Sequence, residues 1–375
     1  MNDMKKPLDG IRVLDLSRVL AGPYCTSMLA DLGAEVIKIE MPEHGDDSRH
    51  LGAFDANGDS IYYALINRGK RSIELDFKEP NDMVRFISLV KTADVIVENF
   101  RPGVTQRLGI DFESLKEHNQ KIVSTSISGC GQDGPFAKYP AYDIVAQAMS
   151  GLMSITGFKE TGPTRVGESM GDIIAGIYAS WAISSGLFAR ERTGEAQYID
   201  VAMFDALLSL QVTGLASLFS GANPTLVGNR HPISTPFDTY KAKDGLVVIA
   251  IASDRLFQKF CESVGQAELA NDARFLTDET RTENETALKS IIETWASQFS
   301  VDEVCEKLGN DGIPVSAVWN LKQAAYSEQS KFRKILVDVE GQEYPIVPQP
   351  VFFNGQKPHV NKPAPVLGEA NDEIK

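Results

Sequence analysis

Residues 11–40 read IRVLDLSRVLAGPYCTSMLADLGAEVIKIE, and two structural periods alternate within them. The run 11–16 (IRVLDL) is short and apolar, as suits a buried strand. Gly22 and Pro23 open a helical stretch, PYCTSMLADL, with the proline where a helix start tolerates it, and Gly33 stops it. The run 35–40 (EVIKIE) is the next strand. SIELDF (72–77), ADVIVENF (93–100) and KIVSTSISG (121–129) read as further strands, with helices around 81–92 and 113–118. Strands separated by helices are βαβ units. The fold class is therefore α/β, with a Rossmann-like large domain whose parallel sheet is covered by helices on both faces.

Working outward, residues 141–192 are almost purely helical: AYDIVAQAMSGLMS, then GDIIAGIYASWAISSGLFARER. The uncharged run 173–189 contains three serines and directly follows Asp172, so it reads as a buried helix and not as a membrane span. AQYIDVAM (196–203) is a strand, and 204–219 returns to helix. After Ser220 comes a stretch rich in turn formers, GANPTLVGNRHPISTPFDTYKAKDG, where a second domain is expected to begin. A strand at 246–252, helices around 254–264 and 283–298, then VDEVCEKLGNDG and a strand at 313–318 give a smaller α/β domain. The expected division is 1–220 for the large Rossmann-like domain, 221–329 for the small domain, and 330–375 for a C-terminal return segment. That segment carries prolines and short β runs such as PQPVFF and is expected to pack on the large domain.

The chain has 375 residues, 43% hydrophobic and 23% charged, which suits a soluble globular protein of about two domains. Its net charge of −14 argues against nucleic acid or an anionic membrane as a partner. Cys25, Cys130, Cys261 and Cys305 form no CxxC pair, so reduced thiols in the cytoplasm are expected, with no zinc site. The N-terminus lacks the apolar stretch of a signal peptide.

Gly129-Cys130-Gly131-Gln132-Asp133-Gly134 satisfies GxGxxG after a strand, but Pro135 follows where a dinucleotide fingerprint needs a helix. It reads as a glycine-rich loop. The five histidines are dispersed, without metal-ligand spacing, and no GxSxG or Walker motif occurs. Arg230 and His231, in GNRHP, are either an ordinary turn or a functional loop with a fixed positive charge. Gly171-Asp172 heads the apolar helix. An acid there is either a cap for orphan N–H groups or, behind the small residues of GESMG, a nucleophile toward an activated acyl group.

Four stretches carry a resemblance to a known family: DLSRVLAGPYCTSMLADLGAEVIKIE with GDDSR; INRGKRSIELDFK with ADVIVENFRPG; SGCGQDGPFAKYPAYDIVAQAMSG with VGESMGDIIAGIYA; and PAPVLGE. From about Leu8 to Glu369 the chain resembles the class III CoA-transferases of the formyl-CoA transferase / CaiB–BaiF type, a family that also holds 2-methylacyl-CoA racemases.

The resemblance implies an interlocked homodimer acting on a small carboxylate and an acyl-CoA, with CoA as substrate and no tightly bound cofactor or metal. It puts Asp172 at the nucleophile position, passing through an aspartyl anhydride and an aspartyl-CoA thioester. It puts CoA contacts at Val19, Leu20, Ala21, Leu75, Lys78, Asn99, Phe100, Arg107 and Met203, and loop or substrate contacts at Gly129, Gly131, Gln132, Tyr142, Arg230 and His231. Backbone N–H groups of the glycine-rich loop would then face an oxyanion. Met41 stands where some relatives place an arginine, and Lys138 is a nearby substitute cation. Tyr142 stands where the racemases carry a histidine, and a phenol with a reference pKa near 10 is a poor α-proton base, so transferase is expected over racemase. A non-catalytic acyl-CoA-binding protein is the other alternative. The stretches APAYD, GNRHP and TPFDTY resemble the acetyl-CoA:oxalate and succinyl-CoA:dicarboxylate branches, implying a dicarboxylate acceptor such as oxalate and acetyl-, succinyl- or formyl-CoA as donor.

Overall fold

The structure is a computed structural model that describes residues 5–374. The chain forms two compact units, Met1–Met153 with Arg165–Asn223 and Glu328–Lys375, and Ser154–Thr164 with Pro224–Ser327.

The first unit is built on six parallel strands: β1 (Arg12–Asp15), β2 (Glu35–Glu40), β3 (Arg71–Glu74), β4 (Val95–Glu98), β5 (Val123–Ser128) and β6 (Gln197–Ala202). They lie in the order β3-β2-β1-β4-β5-β6, which reverses direction between β1 and β4. Both faces are apolar because successive residues point to opposite sides. Val13, Val36, Val95 and Val123 meet Cys25, Leu29, Ala175 and Ile183 on one face. On the other, Leu14, Ile37, Ile73 and Ile96 meet Phe86, Leu89 and Leu115. Charges inside this sheet are paired: Lys70 Nζ lies 2.8 Å from Asp15 Oδ2, and Lys38 Nζ lies 2.8 Å from Asp46 Oδ2, all four side chains being buried. Burial pushes the Asp15 carboxyl up, but Lys70 and Lys38 outweigh it and hold it well below the ordinary carboxylate range.

Three helices position the site: α1 (Ala21–Asp31), α2 (Asp143–Met149) and α3 (Met170–Thr193). The apolar helix α3 differs from its expected full burial. Its inward face is Gly171, Ala175, Gly176, Ala179 and Gly186, while Ile177, Trp181 and Phe188 are 41%, 66% and 65% exposed. Small residues there, together with Ile183 and Leu187, let it lie close to its neighbours, while Ile177, Trp181 and Phe188 fall on the opposite side. A Cβ at position 176 would stand 2.7 Å from the Ala21 carbonyl, so glycine is required where α3 crosses α1. By length and composition alone α3 is apolar enough to cross a membrane, and 33% of that apolar window is buried inside the structure.

The second unit carries an antiparallel sheet of β7 (Phe237–Lys241), β8 (Leu246–Ala250) and β9 (Val315–Ala317), ordered β9-β8-β7. Its core joins Tyr240, Val247 and Ile249 to Phe257, Phe260, Leu288 and Trp295. β7 lies inside the stretch read as turns. Asp238, facing inward, is paired with Lys289, so a charge occupies a position where a strand pattern calls for an apolar residue. The short β runs expected in the tail are isolated bridges, Val337 with Ile346 and Phe353 with Gln356, because the segment bonds mainly to the first unit. Gln349 N–H and Val360 N–H donate to the buried Asp31 carboxylate at 2.9 and 3.2 Å, and Ala370 N–H donates to the Ser72 carbonyl.

Candidate active site

Loops leaving the C-terminal ends of β1, β4 and β5 surround the point where strand order reverses, the usual ligand crevice of an open parallel sheet. Val19, Ala21, Asn99, Phe100, Gly129, Tyr142, Asp172 and Met203 line one cleft there. Leu75, Lys78 and Met41 line a second, and Arg18, Asp47 and Phe100 are common to both, so the two form a continuous groove. Seven of the residues expected from sequence thus converge around Asp172, and two more lie along the extension.

Asp172 sits in the first turn of α3. Its carboxyl is pushed up to about 7, by burial first and then by the neighbouring Asp143 carboxylate, while the Ala21 backbone N–H donates to it and works the other way. A carboxylate more basic than usual, in a cleft and touched by one N–H, is suited to attack a carbonyl carbon. Asp143 supports it from α2: Oδ1 accepts the Gly171 N–H at 2.7 Å and Oδ2 accepts Gln147 Nε2 at 2.8 Å. Gln147 Oε1 in turn accepts the Val166 N–H at 2.9 Å, fixing the segment that leads into α3. Tyr62 lies near enough that Asp172, after burial itself, helps raise its phenol to about 12. Sequence reasoning missed Asp143, Gln147 and Tyr62. Asp143 follows the quoted Tyr142 directly, and an acid beside a site motif was the available signal.

Other expected residues take different places. Leu20 is buried at the cap of α1. Both polar atoms of the Asn99 side chain bond the Arg18 backbone, at 2.9 and 2.8 Å, so Asn99 clamps the loop after β1. Gly131 N–H donates to Ser128 Oγ and Gln132 N–H to Asp200 Oδ2, both at 2.9 Å, so these two groups already have acceptors within the chain. Arg107 is exposed on the helix Val104–Leu108, whose Leu108 lines the second cleft, and Lys138 is exposed. Arg230 and His231 belong to the second unit. There His231 stacks on Phe237 at 4.9 Å, and Arg230 lies 3.8 Å from Glu285. Among the described residues, no group of three or more His, Cys, Asp or Glu is placed to hold a metal ion.

Residues 8–371 match the family described as CoA-transferase family III. The chain is 42% identical over 374 residues to the acetyl-CoA:oxalate CoA-transferase of Acetobacter aceti, covering 99% of this chain and 95% of that protein. It is 36% identical to the succinate–glutarate CoA-transferase of Agrobacterium fabrum, covering 100% and 96%. A solved structure of a CAIB/BAIF family protein from Brucella suis superposes with a TM-score of 0.88 at 36% identity, covering 98% of each chain.

Proposed function

This chain belongs to CoA-transferase family III and is a CoA-transferase with CoA thioesters as substrates, and we propose that it passes CoA from an acyl-CoA donor to a small dicarboxylate through Asp172. The observation that carries this reading is the Asp172 carboxyl, raised to about 7 in the cleft where the strand order reverses. Its carboxylate attacks the donor thioester carbonyl, the C–S bond breaks, and CoA thiolate leaves a mixed anhydride. The thiolate then attacks the aspartyl carbonyl, expels the donor carboxylate and forms an aspartyl-CoA thioester. The acceptor carboxylate attacks this thioester and releases the thiolate, whose attack on the acceptor acyl carbon gives the new acyl-CoA and restores Asp172. No step needs water, and a closed cleft preserves the thioester energy.

CoA would run along the groove, its thioester end at Asp172 and its nucleotide toward Leu75 and Lys78. The acceptor oxalate is suggested by the Acetobacter relative, and acetyl-, succinyl- and formyl-CoA are the donors to be tested. The working form is an interlocked homodimer in the cytoplasm, without nucleic acid or membrane. The exposed apolar row Ile177, Trp181 and Phe188 on α3 supports a second copy packing there. Racemisation is disfavoured by Tyr142, whose side chain lines the cleft where a proton-transfer histidine would be needed.

The test is a panel of acyl-CoA donors against carboxylate acceptors read by mass spectrometry. Arg230 supplies its sharpest arm. Arg230 Nη1 donates to the His231 carbonyl at 3.2 Å, and the 3.8 Å contact of Nε with Glu285 is longer than a charge-assisted hydrogen bond, so we assign the remaining guanidinium donors to the non-reacting carboxylate of a dicarboxylate. Arg230→Leu is expected to weaken dicarboxylate use by roughly 1.5–3 kcal/mol and to leave a monocarboxylate nearly unchanged. Equal losses for oxalate and acetate would reject the selective role. Transfer to no carboxylate, with enzyme-dependent α-deuterium exchange on a 2-methylacyl-CoA, would turn the assignment to racemase.

The pH dependence follows from the same carboxyl. Asp172 attacks only when ionised, so the rate at which donor acyl-CoA modifies it should rise with pH through about 7 and then level. Rapid-quench mass spectrometry measures this, and a rate constant across the neutral range would remove Asp172 as the titrating nucleophile.

A further inference from the structure

The loop after β1 holds a β-branched residue, Val19, at φ 67°. In that left-handed region Cβ crowds the backbone, at a cost of about 1–3 kcal/mol, so the conformation persists only where neighbours impose it. Val19 N–H donates to Asp46 Oδ1 at 3.0 Å, and the same oxygen accepts the Ser48 N–H at 2.9 Å. The other carboxylate oxygen is paired with Lys38 Nζ at 2.8 Å. Lys38, wholly buried on β2, also donates to the Ser17 carbonyl at 2.9 Å. The Asp46 N–H is itself held by Glu40 Oε2 at 2.9 Å. The loop is thus gripped at Ser17 and at Val19 by groups from outside it. Val19 and Ala21, two residues further on, line the same cleft as Asp172.

We propose that Asp46, braced by Lys38, is a positioning residue: it fixes Val19 in its left-handed backbone and thereby sets the loop that lines the cleft beside Asp172 for attack on the thioester. The proposal rests on the reading of Asp172 as nucleophile. Asp46 acts through the backbone alone. A buried ion pair serving only the fold would sit equally well beneath an unstrained loop. Here its carboxylate bonds the very residue that carries the unfavourable φ.

Glycine adopts positive φ without the Cβ penalty, so a chain with Val19→Gly needs the grip much less. The experiment is a double-mutant cycle on the full-length protein. It reads single-turnover formation of the CoA adduct on Asp172 and the KM for acetyl-, succinyl- and formyl-CoA. Asp46→Ala is expected to slow adduct formation roughly 10- to 100-fold, the scale of a small misplacement of reacting groups. The donor KM should change less than about threefold, and Val19→Gly should recover all but about threefold of the loss. Equal losses in the Val19 and Gly backgrounds overturn the proposal and leave Asp46 a structural residue. If the unpaired Lys38 charge unfolds the single variant, Lys38→Met combined with Asp46→Ala removes both charges, and the same comparison at position 19 decides. Absence of any adduct on the parent protein overturns the nucleophile reading and this proposal with it. An adduct on the parent with additive losses overturns the positioning role alone.

Discussion

Asp172→Ala is expected to lower CoA exchange by a factor on the order of 10³ or more while the protein stays folded and still binds CoA. The covalent route has no substitute nucleophile of comparable placement: Asp143 is committed to the Gly171 N–H and to Gln147. The CoA-sized adduct seen on the parent after incubation with donor alone should vanish together with turnover. Stability should not fall. The folded-state pKa of Asp172 is raised from 3.8 to about 7, so the folded protein disfavours its ionised form. That penalty builds from about pH 3.8 upward and is complete above about pH 7, where the alanine variant should unfold at an equal or higher temperature. Intact-protein mass spectrometry, isothermal titration with CoA and thermal unfolding make the three measurements. A variant that keeps more than a few per cent of turnover would sink the assignment, and one that loses CoA affinity in proportion would make Asp172 a binding residue and not the nucleophile.

Asp15→Asn should cost the first unit about 3–5 kcal/mol, the usual consequence of leaving one member of a buried ion pair alone. Asp15 Oδ2 accepts from Lys70 Nζ at 2.8 Å and from Thr26 Oγ1 at 2.7 Å, and Oδ1 accepts the Ser17 N–H at 3.0 Å. Lys70 also donates to the Pro23 carbonyl and to Asn67 Oδ1, at 3.0 and 2.8 Å. An asparagine keeps the shape but places an NH₂ or a neutral oxygen against an ammonium that has no water. Denaturant unfolding at neutral pH, with amide exchange followed on β1, measures the loss. Because the Asp15 carboxyl is held below its unfolded value, its contribution is fully present above the ordinary carboxylate range and is lost only as pH falls through the lowered value. The difference between parent and variant should therefore narrow only in strong acid. A loss below about 1 kcal/mol, typical of exposed pairs, would contradict the buried arrangement.

The large sheet was legible because its strands are apolar on both faces, so runs such as EVIKIE and ADVIVENF stand out without any partner being known. β7 was hidden because Asp238 points inward and is neutralised by Lys289, fifty-one residues away in sequence, and no local pattern reports such a partner. The exposure of Trp181 and Phe188 was hidden for a different reason. Average hydropathy sums over all faces of a helix, whereas α3 buries one face, its glycines and alanines with Ile183 and Leu187, and exposes Trp181 and Phe188 on another. At the site, Asp172 stood out as an acid heading an apolar helix, a pattern that fits a cap as well as a nucleophile, and only the family resemblance chose between them. Lys38 did not stand out: in EVIKIE it passes for the solvent-facing member of an alternating strand, and only the return of Asp46 to it turns it inward. The loop amides of Gly131 and Gln132 likewise depend on acceptors that the motif does not contain.

The hold of the Asp31 carboxylate on the tail has a consequence for synthesis. When the ribosome has released residues as far as Ser327, the first 223 residues contain all six strands of the large sheet. Yet Asp31, paired with Arg68 inside that structure, then lacks the Gln349 and Val360 N–H groups that complete it. Arg71 and Arg85 also lack Glu373 and the carbonyls of Asn371 and Ile374. An earlier-made part of the molecule is sealed by a later-made one. A nascent chain therefore carries an open seam along the β3 edge until residues 349–374 have emerged, and a truncation before Ile374 leaves part of it unsealed.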